Sequence, residues 1–165
     1  MSKFTKTLWT SNKQDYNTPK WLFDKLDSFY HFTTDPSTSK DNPLGCRLFF
    51  TKETNGQDFT KWEGNVYINP EYKNILPWVL AAFSYYFWSR NSVVMLIPAR
   101  TGNKLWQEKI FPLADLICFI KGRLRFSGNE NSAPFDSSLV IFGNISDDEK
   151  SLYRELGQIV KCGSF

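Results

Sequence analysis

Cysteine and histidine are scarce in this sequence. Among 165 residues there are only three cysteines, Cys46, Cys118 and Cys162, and one histidine, His31. The cysteines show no Cys-x-x-Cys or Cys/His spacing, so the common zinc motifs are excluded, and a lone histidine argues against a His-based triad or metal cluster. Cysteines without a disulfide pattern are typical of a reducing compartment. We therefore expect a cytoplasmic protein that holds no metal.

Long hydrophobic runs are also missing. The longest apolar stretch, Ile75–Trp88, is too short to span a bilayer and is interrupted by Pro77 and Ser84. Residues 1–15 are polar, carry no apolar segment typical of a secretion signal, and are predicted to be loosely held. We expect no membrane contact and, at this length, a single domain over residues 1–165.

Aromatic side chains, by contrast, are abundant. They make up 17% of the residues, and the formal net charge is +3. Flat aromatic rings are useful for stacking on nucleobases, although their first use is to fill a core. The mildly basic balance is compatible with nucleic acid without requiring it.

Turn signals and hydrophobic periodicity divide the chain into alternating helices and strands. Thr18 as a cap and Pro19 in the first turn predict that a helix begins there and continues to about Phe29. Further helices are predicted at 76–90, 103–111 and 147–156, and strands at 31–35, 47–51, 65–69, 92–98, 116–120, 122–126 and 138–142. This order predicts an α/β sandwich whose parallel core gains antiparallel strands towards the C-terminus.

The most informative motif is Asn69-Pro70-Glu71-Tyr72, directly after a predicted buried strand. In α/β sheets, ligands bind where the carboxyl ends of strands meet. The side-chain oxygen of Asn69 and the backbone carbonyl of Pro70 are suited to accept the two N–H groups of an exocyclic amine, and Tyr72 is suited to stack on a base. Asn-Pro also begins ordinary turns, so the four residues alone leave a plain turn open.

In order and spacing, several motifs of this chain resemble the small phage-type DNA N6-adenine methyltransferases, the phage Dam-like family. The resemblance covers roughly residues 17–142. It rests on Thr18-Pro19, Phe32-Thr33-Thr34-Asp35, Asp58 before Trp62, Asn69-Pro70-Glu71-Tyr72, the segment 96–101, and Lys121-Gly122-Arg123-Leu124 leading to Phe126.

This resemblance implies a Rossmann-like class I methyltransferase sandwich and methyl transfer from S-adenosylmethionine to adenine N6 in DNA. It implies Asn69, Pro70 and Tyr72 as catalytic residues. It also places Thr18 and Pro19 by the methionine end of the cofactor and Asp35 beside the cofactor at the end of the first strand. Asp58 and Phe59 would hold the cofactor's adenine. Without the resemblance, Asp35 is equally compatible with a helix or turn cap, and Asp58 with an ordinary solvated side chain.

Two features depart from the family pattern. Glu71 replaces the second proline of the catalytic turn, which leaves both proposed acceptors, Asn69 and Pro70, in place but removes a restraint on Pro70. The new carboxylate is free to repel DNA, steer the cofactor or point into solvent. The glycine-rich loop of larger methyltransferases is also absent, and residues 35–39 fit the acidic, small-residue loop of the phage family only loosely.

Basic residues near the strand ends are candidates for DNA binding. Lys121, Arg123 and Arg125 alternate along a predicted strand and share one face, which suits phosphates but equally suits an ordinary solvated face. Arg100 lies in the turn at the same edge as the catalytic motif and suits a phosphate or the cofactor carboxylate. Only the loop 127–136 offers room for target recognition, so we expect low sequence selectivity.

Taken together, the sequence predicts a DNA adenine N6-methyltransferase, monomeric or weakly dimeric, encoded by a phage or prophage and present in the bacterial host cytoplasm. Two alternatives stay open. One is a methyltransferase-like protein with little or no activity that binds DNA or a host restriction component, for which Glu71 is the main support. The other is an amino-methyltransferase acting on RNA or protein.

Overall fold

A seven-stranded sheet forms the centre of the protein in the computed structural model, which describes residues 16–163. Its strands in chain order are β1 (Thr34–Asp35), β2 (Leu48–Phe49), β3 (Val66–Ile68), β4 (Val93–Pro98), β5 (Leu116–Ile120), β6 (Ser137–Phe142) and β7 (Gly157–Lys161). They lie in the order β2-β1-β3-β4-β6-β5-β7. The pairs from β2 to β4 are parallel, whereas β6 is antiparallel to β4 and β5, and β7 is antiparallel to β5. The predicted fold class, a mixed Rossmann-like α/β sandwich, is confirmed.

The helices that cover this sheet are α1 (Lys20–Tyr30), α2 (Leu76–Ser89), α3 (Phe111–Leu113) and α4 (Asp147–Leu156), with a π-helical turn at Trp106–Ile110 before α3. Helix α1 begins one residue later than the sequence predicts, since Pro19 rather than Thr18 is its N-cap and no side chain caps it. It ends at Tyr30 and is followed by His31, which has a left-handed φ of 49°. No helix in residues 16–163 is long and apolar enough to cross a membrane.

Alternating side chains of the central strands build a separate core on each face of the sheet. In β4, Val94 and Leu96 join the core under α1 and α4, whereas Val93, Met95 and Ile97 join the core under α2 and the π-helical turn. All of β4 is buried, as expected for a strand covered on both faces. This packing fixes the strand ends, where the site lies.

One predicted strand is wrong. Residues 122–126 pair with no strand among the described residues, and both edges of the preceding strand β5 are occupied, by β6 and by the unpredicted β7. The predicted alternation nevertheless holds, since Leu124 and Phe126 are buried and Lys121, Arg123 and Arg125 are exposed. The expectation for residues 1–15 lies outside the described part of the chain.

Strand direction brings several loops to one side of the molecule. The carboxyl ends of β1, β3, β4 and β5 lie at the same edge of the sheet as the amino end of β6, because β6 runs against β4 and β5. This edge, called the carboxyl edge below, therefore presents the segments that follow Asp35, Ile68, Pro98 and Ile120, as well as the one that precedes Ser137.

Candidate active site

A cleft of about 1210 Å³ lies at the carboxyl edge, next to the ends of β1 and β3. One wall is the turn that follows Asp35, a second is the loop at 51–57, and a third is formed by residues 16–18 with the turn at 69–71. The volume is sufficient for a nucleotide-sized ligand, since ligand pockets typically measure about 300–1,000 Å³. Asp35 and Asn69, two of the residues singled out from the sequence, both line it.

Asn69 is tied to its surroundings through every polar group of its side chain. Its Nδ2 donates to the backbone carbonyl of Tyr16 at 2.6 Å and to the hydroxyl of Thr18 at 3.1 Å, while Oδ1 accepts from the hydroxyl of Tyr72 at 2.9 Å. Its backbone N–H donates to the hydroxyl of Ser37 at 3.0 Å. A carbonyl oxygen has two lone pairs, so Oδ1 keeps capacity for one further donor.

Tyr72 packs among aromatic side chains beside this amide. Its ring stacks on that of Tyr16, with centroids 5.6 Å apart and an interplanar angle of 15°, and meets Phe135 edge-on at 5.5 Å. Burial raises the pKa of Tyr72 above its ordinary value, so the hydroxyl stays protonated and can donate to Asn69. Because Tyr16 covers one face of the ring, a ligand that stacks on Tyr72 has to use the other face or displace Tyr16.

Asp35 is a buried carboxylate at the end of β1. The residue is 3% exposed, and its Oδ1 accepts hydrogen bonds from the backbone N–H of Ser37 at 3.1 Å and from the Ser37 hydroxyl at 3.3 Å. Burial raises the pKa of Asp35 to about 6, although the hydrogen bonds from Ser37 partly oppose the shift. Since the Ser37 hydroxyl also accepts from the backbone of Asn69, this serine connects the two predicted site residues.

Glu71, the departure from the family motif, pairs with Lys52 of the loop at 51–57, and both residues line the cleft. The Glu71 side chain is half exposed, at 49%. Of the three orientations left open by the sequence, the structure therefore has the carboxylate beside a lysine at the cleft rather than pointing freely into solvent. An exposed pair of this kind contributes little stability, about 0–1 kcal/mol.

The other residues predicted to bind the cofactor occupy different positions. Thr18 lines the cleft, whereas Pro19 is buried at the start of α1. Asp58 and Phe59 do not line it: Asp58 accepts from the backbone and hydroxyl of Thr60, and Phe59 packs against the core under α2. Hydrogen bonding from Thr60 and the nearby Lys61 lower the pKa of Asp58. All four assignments stay predictions.

The four basic residues predicted to contact DNA are all exposed on segments that follow strands at the carboxyl edge. Arg100 follows β4, and Lys121, Arg123 and Arg125 follow β5. The guanidinium of Arg123 is 3.7 Å from Asp136, which precedes β6. The structure therefore brings these cations to the same edge as Asn69, although none of them lines the cleft. Their role in DNA binding also stays a prediction.

Sequence reasoning missed Ser37, Tyr16 and Gly56. The sequence Asp35-Pro36-Ser37 gives a local indication of the Ser37 contact, because an aspartate side chain in such a turn commonly hydrogen-bonds to the backbone two residues later. Nothing local indicates Tyr16, whose position depends on a bridge between Asn17 and Ser127. No group of three or more histidine, cysteine or acidic side chains within residues 16–163 is placed to hold a metal ion.

Gly56 fixes how closely the loop at 51–57 approaches β1. A Cβ atom at this position would lie 1.8 Å from the carbonyl oxygen of Pro36, which directly follows Asp35. We expect Gly56→Ala to lower the free energy of unfolding by about 2 kcal/mol or more, because backbone must shift to relieve the contact. Gly102→Ala is the matched control, since nothing lies within 4 Å of its added Cβ. Urea unfolding checks the pair, and equal stability of the two variants would contradict the close contact.

Comparisons with known proteins indicate the family to which the chain is similar. A family model described as DNA N-6-adenine-methyltransferase (Dam) matches residues 5–151. A protein named DNA N-6-adenine-methyltransferase, from Haemophilus phage HP1 (strain HP1c1), is 26% identical over 130 residues, which covers 78% of this chain and 75% of the phage protein.

Proposed function

Because this chain belongs to the DNA N-6-adenine-methyltransferase (Dam) family, we propose that it transfers a methyl group from S-adenosylmethionine to the exocyclic amine of adenine in DNA, with low sequence selectivity. The observation that carries the proposal is the cleft in which Asn69 at the end of β3 and Asp35 at the end of β1 lie on adjacent walls. This places an amide acceptor close to a carboxylate at the edge where α/β sheets bind ligands.

The residues of the cleft fit S-adenosylmethionine chemically. The cofactor carries a sulfonium and an ammonium, and the cleft offers the carboxylate of Asp35 together with hydroxyl groups of the turn that follows it, at Ser37, Thr38 and Ser39. Apolar surface is present as well, from Pro43 and Leu44. Bound there, the cofactor supplies an activated methyl group for attack by a nucleophilic amine.

Asn69 and Pro70 make the adenine amine more nucleophilic. The amine nitrogen is normally a poor nucleophile, because its lone pair is delocalised into the ring. When the remaining lone pair of Asn69 Oδ1 and the carbonyl of Pro70 accept its two N–H groups, the nitrogen becomes pyramidal and its lone pair is directed at the methyl group. The hydrogen bond from Tyr72 to the same Oδ1 fixes where that acceptor lies.

Adenine N6 is paired inside a DNA duplex, so the base must be extruded or the substrate single-stranded. We assign the phosphate contacts that accompany this step to Arg100, Lys121, Arg123 and Arg125. Arg125 is the best residue for a test, because Arg123 already has Asp136 as an ion-pair partner.

Arg125→Gln is expected to weaken DNA binding roughly threefold at moderate salt and to reduce the slope of log K against log salt by about one. The matched control is Arg90→Gln. Arg90 follows α2 and lies near the amino end of β4, at the edge of the sheet opposite to the carboxyl edge and its cleft. Fluorescence anisotropy at several salt concentrations checks the pair. An unchanged salt slope for Arg125→Gln would remove this residue from the interface.

Calorimetry with S-adenosylhomocysteine, the demethylated product, tests the proposed cofactor. We expect saturable binding with one site per chain and micromolar affinity, in line with usual enzyme–substrate affinities. Absence of heat and of any thermal stabilisation at millimolar ligand would contradict the use of this cofactor.

A methyltransferase-like protein without activity is the second candidate, and two observations favour it. Glu71 replaces a proline, and both functional groups of the motif are engaged within the chain, with the Tyr72 hydroxyl on Asn69 and the Tyr72 ring against Tyr16. Glu71→Pro separates the candidates, with Glu71→Gln as the control for loss of charge alone. The main proposal predicts an active parent and a change below about tenfold. An inactive parent that Glu71→Pro makes active would favour the second candidate.

A further inference from the structure

A buried pair of hydroxyl groups, from Thr18 and Tyr67, lies next to the Asn69 amide. The Thr18 hydroxyl lies 3.0 Å from the hydroxyl of Tyr67 and accepts the hydrogen bond from Asn69 Nδ2 at 3.1 Å. Thr18 is 6% exposed and Tyr67 is completely buried. Tyr67 belongs to β3, whereas Thr18 precedes α1, so the contact joins two elements that are 49 residues apart in sequence.

The hydrogen-bond partners define which way the Asn69 amide faces. The backbone carbonyl of Tyr16 can only accept, so the amide nitrogen, not the oxygen, must point towards it. The Thr18 hydroxyl takes the second hydrogen of the same nitrogen, which leaves Oδ1 on the side of Tyr72. A flipped amide would set two oxygens, Asn69 Oδ1 and the Tyr16 carbonyl, against each other at hydrogen-bond distance.

We propose that Thr18, held in place by the Tyr67 hydroxyl, is a positioning residue that orients the Asn69 amide so that Oδ1 receives the adenine amine. This role rests on the proposed function. The terminal torsion of an asparagine has a broad energy profile, so the side chain needs fixed partners to keep its oxygen in one place. A shift of the acceptor by even 1 Å is sufficient to reduce a reaction rate about 100-fold.

This role differs from a direct contact between Thr18 and the cofactor in the quantity that changes on mutation. A threonine that binds the cofactor raises its Kd when the hydroxyl is removed. If the threonine instead acts through Asn69, removing its hydroxyl lowers kcat and leaves the Kd of the cofactor unchanged. It also has no further effect once the Asn69 side chain is gone, because residues that act as a unit are not additive.

The test compares Thr18→Val, which removes the hydroxyl at nearly constant volume, with Thr18→Ser, which keeps it. We expect Thr18→Val to lower kcat roughly tenfold, with the Kd of S-adenosylhomocysteine within twofold of wild type. Thr18→Ser should restore kcat to within about threefold. In the Asn69→Ala background, Thr18→Val should cause no further loss of kcat.

Tyr67→Phe gives a second approach should Thr18→Val fold poorly. It removes only the hydroxyl that holds Thr18, and we expect a smaller loss of kcat, about threefold. The control is Tyr85→Phe, which removes another buried hydroxyl, bound to the carbonyl of Gly64 at 2.8 Å in the opposite core, and should change kcat by less than twofold. Thermal unfolding of each variant monitors stability.

Three results would overturn the positioning role: a raised Kd of S-adenosylhomocysteine at unchanged kcat, an equal loss of kcat in the Asn69→Ala background, or no rescue by Thr18→Ser. A wild-type chain that methylates no DNA would instead contradict the proposed function. The positioning role is then judged by NMR, on the two side-chain amide protons of Asn69. They should be resolved and slowly exchanging in wild type and Thr18→Ser, and faster in Thr18→Val; equal exchange in all three would overturn it.

Discussion

Asn69→Ala is expected to lower the kcat of methyl transfer by at least about 100-fold, the usual effect of removing one preorganised hydrogen-bonding group from a transition state. The substitution takes away one of the two acceptors that direct the lone pair of the adenine amine. The other acceptor, the backbone carbonyl of Pro70, remains. Transfer of labelled methyl from S-adenosylmethionine to DNA measures the loss.

Binding of S-adenosylhomocysteine by the same variant separates a catalytic role from a structural one. We expect its Kd to stay within about threefold of wild type, because the proposed cofactor carboxylate, Asp35, is unchanged. Asn74→Ala is the control, since this asparagine is exposed, follows the same turn and should leave the rate unaltered. A wild-type rate in Asn69→Ala would remove the amide from the mechanism.

Asp35→Asn is expected to stabilise the protein and at the same time weaken cofactor binding. The pKa of Asp35 is about 6 in the folded chain, compared with 3.8 for an ordinary aspartate, which we take as the value in the unfolded chain. Between these two values the unfolded chain loses its proton while the folded chain keeps it, so the free energy of unfolding falls as pH rises. The ionised group therefore costs about 3 kcal/mol of stability at pH 8 and about half of that at pH 5. Asparagine removes this cost and keeps Oδ1 as an acceptor for Ser37.

The affinity for S-adenosylmethionine should rise as Asp35 ionises, whereas the stability of the protein falls. In wild type we expect affinity to rise up to about tenfold per pH unit below pH 6 and to level off above it, since the cation is bound by the carboxylate. Asp35→Asn should bind at least about tenfold more weakly and lose this pH dependence. The exposed Asp148→Asn serves as the control. Urea unfolding and calorimetry at pH 5, 6.5 and 8 check both effects, and a less stable Asp35→Asn at pH 8 would contradict the cost of burying the charge.

Much of the fold follows from local sequence because its signals agree with the tertiary environment. Pro19 with its following apolar spacing predicts α1, and the uninterrupted apolar run of residues 92–98 predicts β4 as a strand covered on both faces. The position of Asn69 at a strand end follows from the same reasoning. Strand β7 was missed because it is an edge strand with mostly exposed side chains, which within residues 16–163 pairs with β5 alone.

The contacts within the site were less predictable, because they join distant parts of the chain. No local pattern indicates that Thr18 and the Tyr16 carbonyl hold the Asn69 amide, 51 and 53 residues away. The ion pair between Glu71 and Lys52 likewise depends on where the loop at 51–57 lies, since it brings a second wall of the cleft to Glu71. Asp58 shows the opposite case: its hydrogen bonds come from Thr60, only two residues on, whereas the sequence left open an ordinary solvated side chain.

Nucleoside mass spectrometry of DNA incubated with the protein and S-adenosylmethionine carrying a deuterated methyl group measures the proposed reaction itself. We expect deuterated N6-methyl-2′-deoxyadenosine to accumulate with the wild-type chain, on duplex or single-stranded DNA, and to be nearly absent with Asn69→Ala. Label found only on cytosine, or on no nucleoside of any DNA tested while S-adenosylhomocysteine still binds, would contradict adenine N6 as the acceptor.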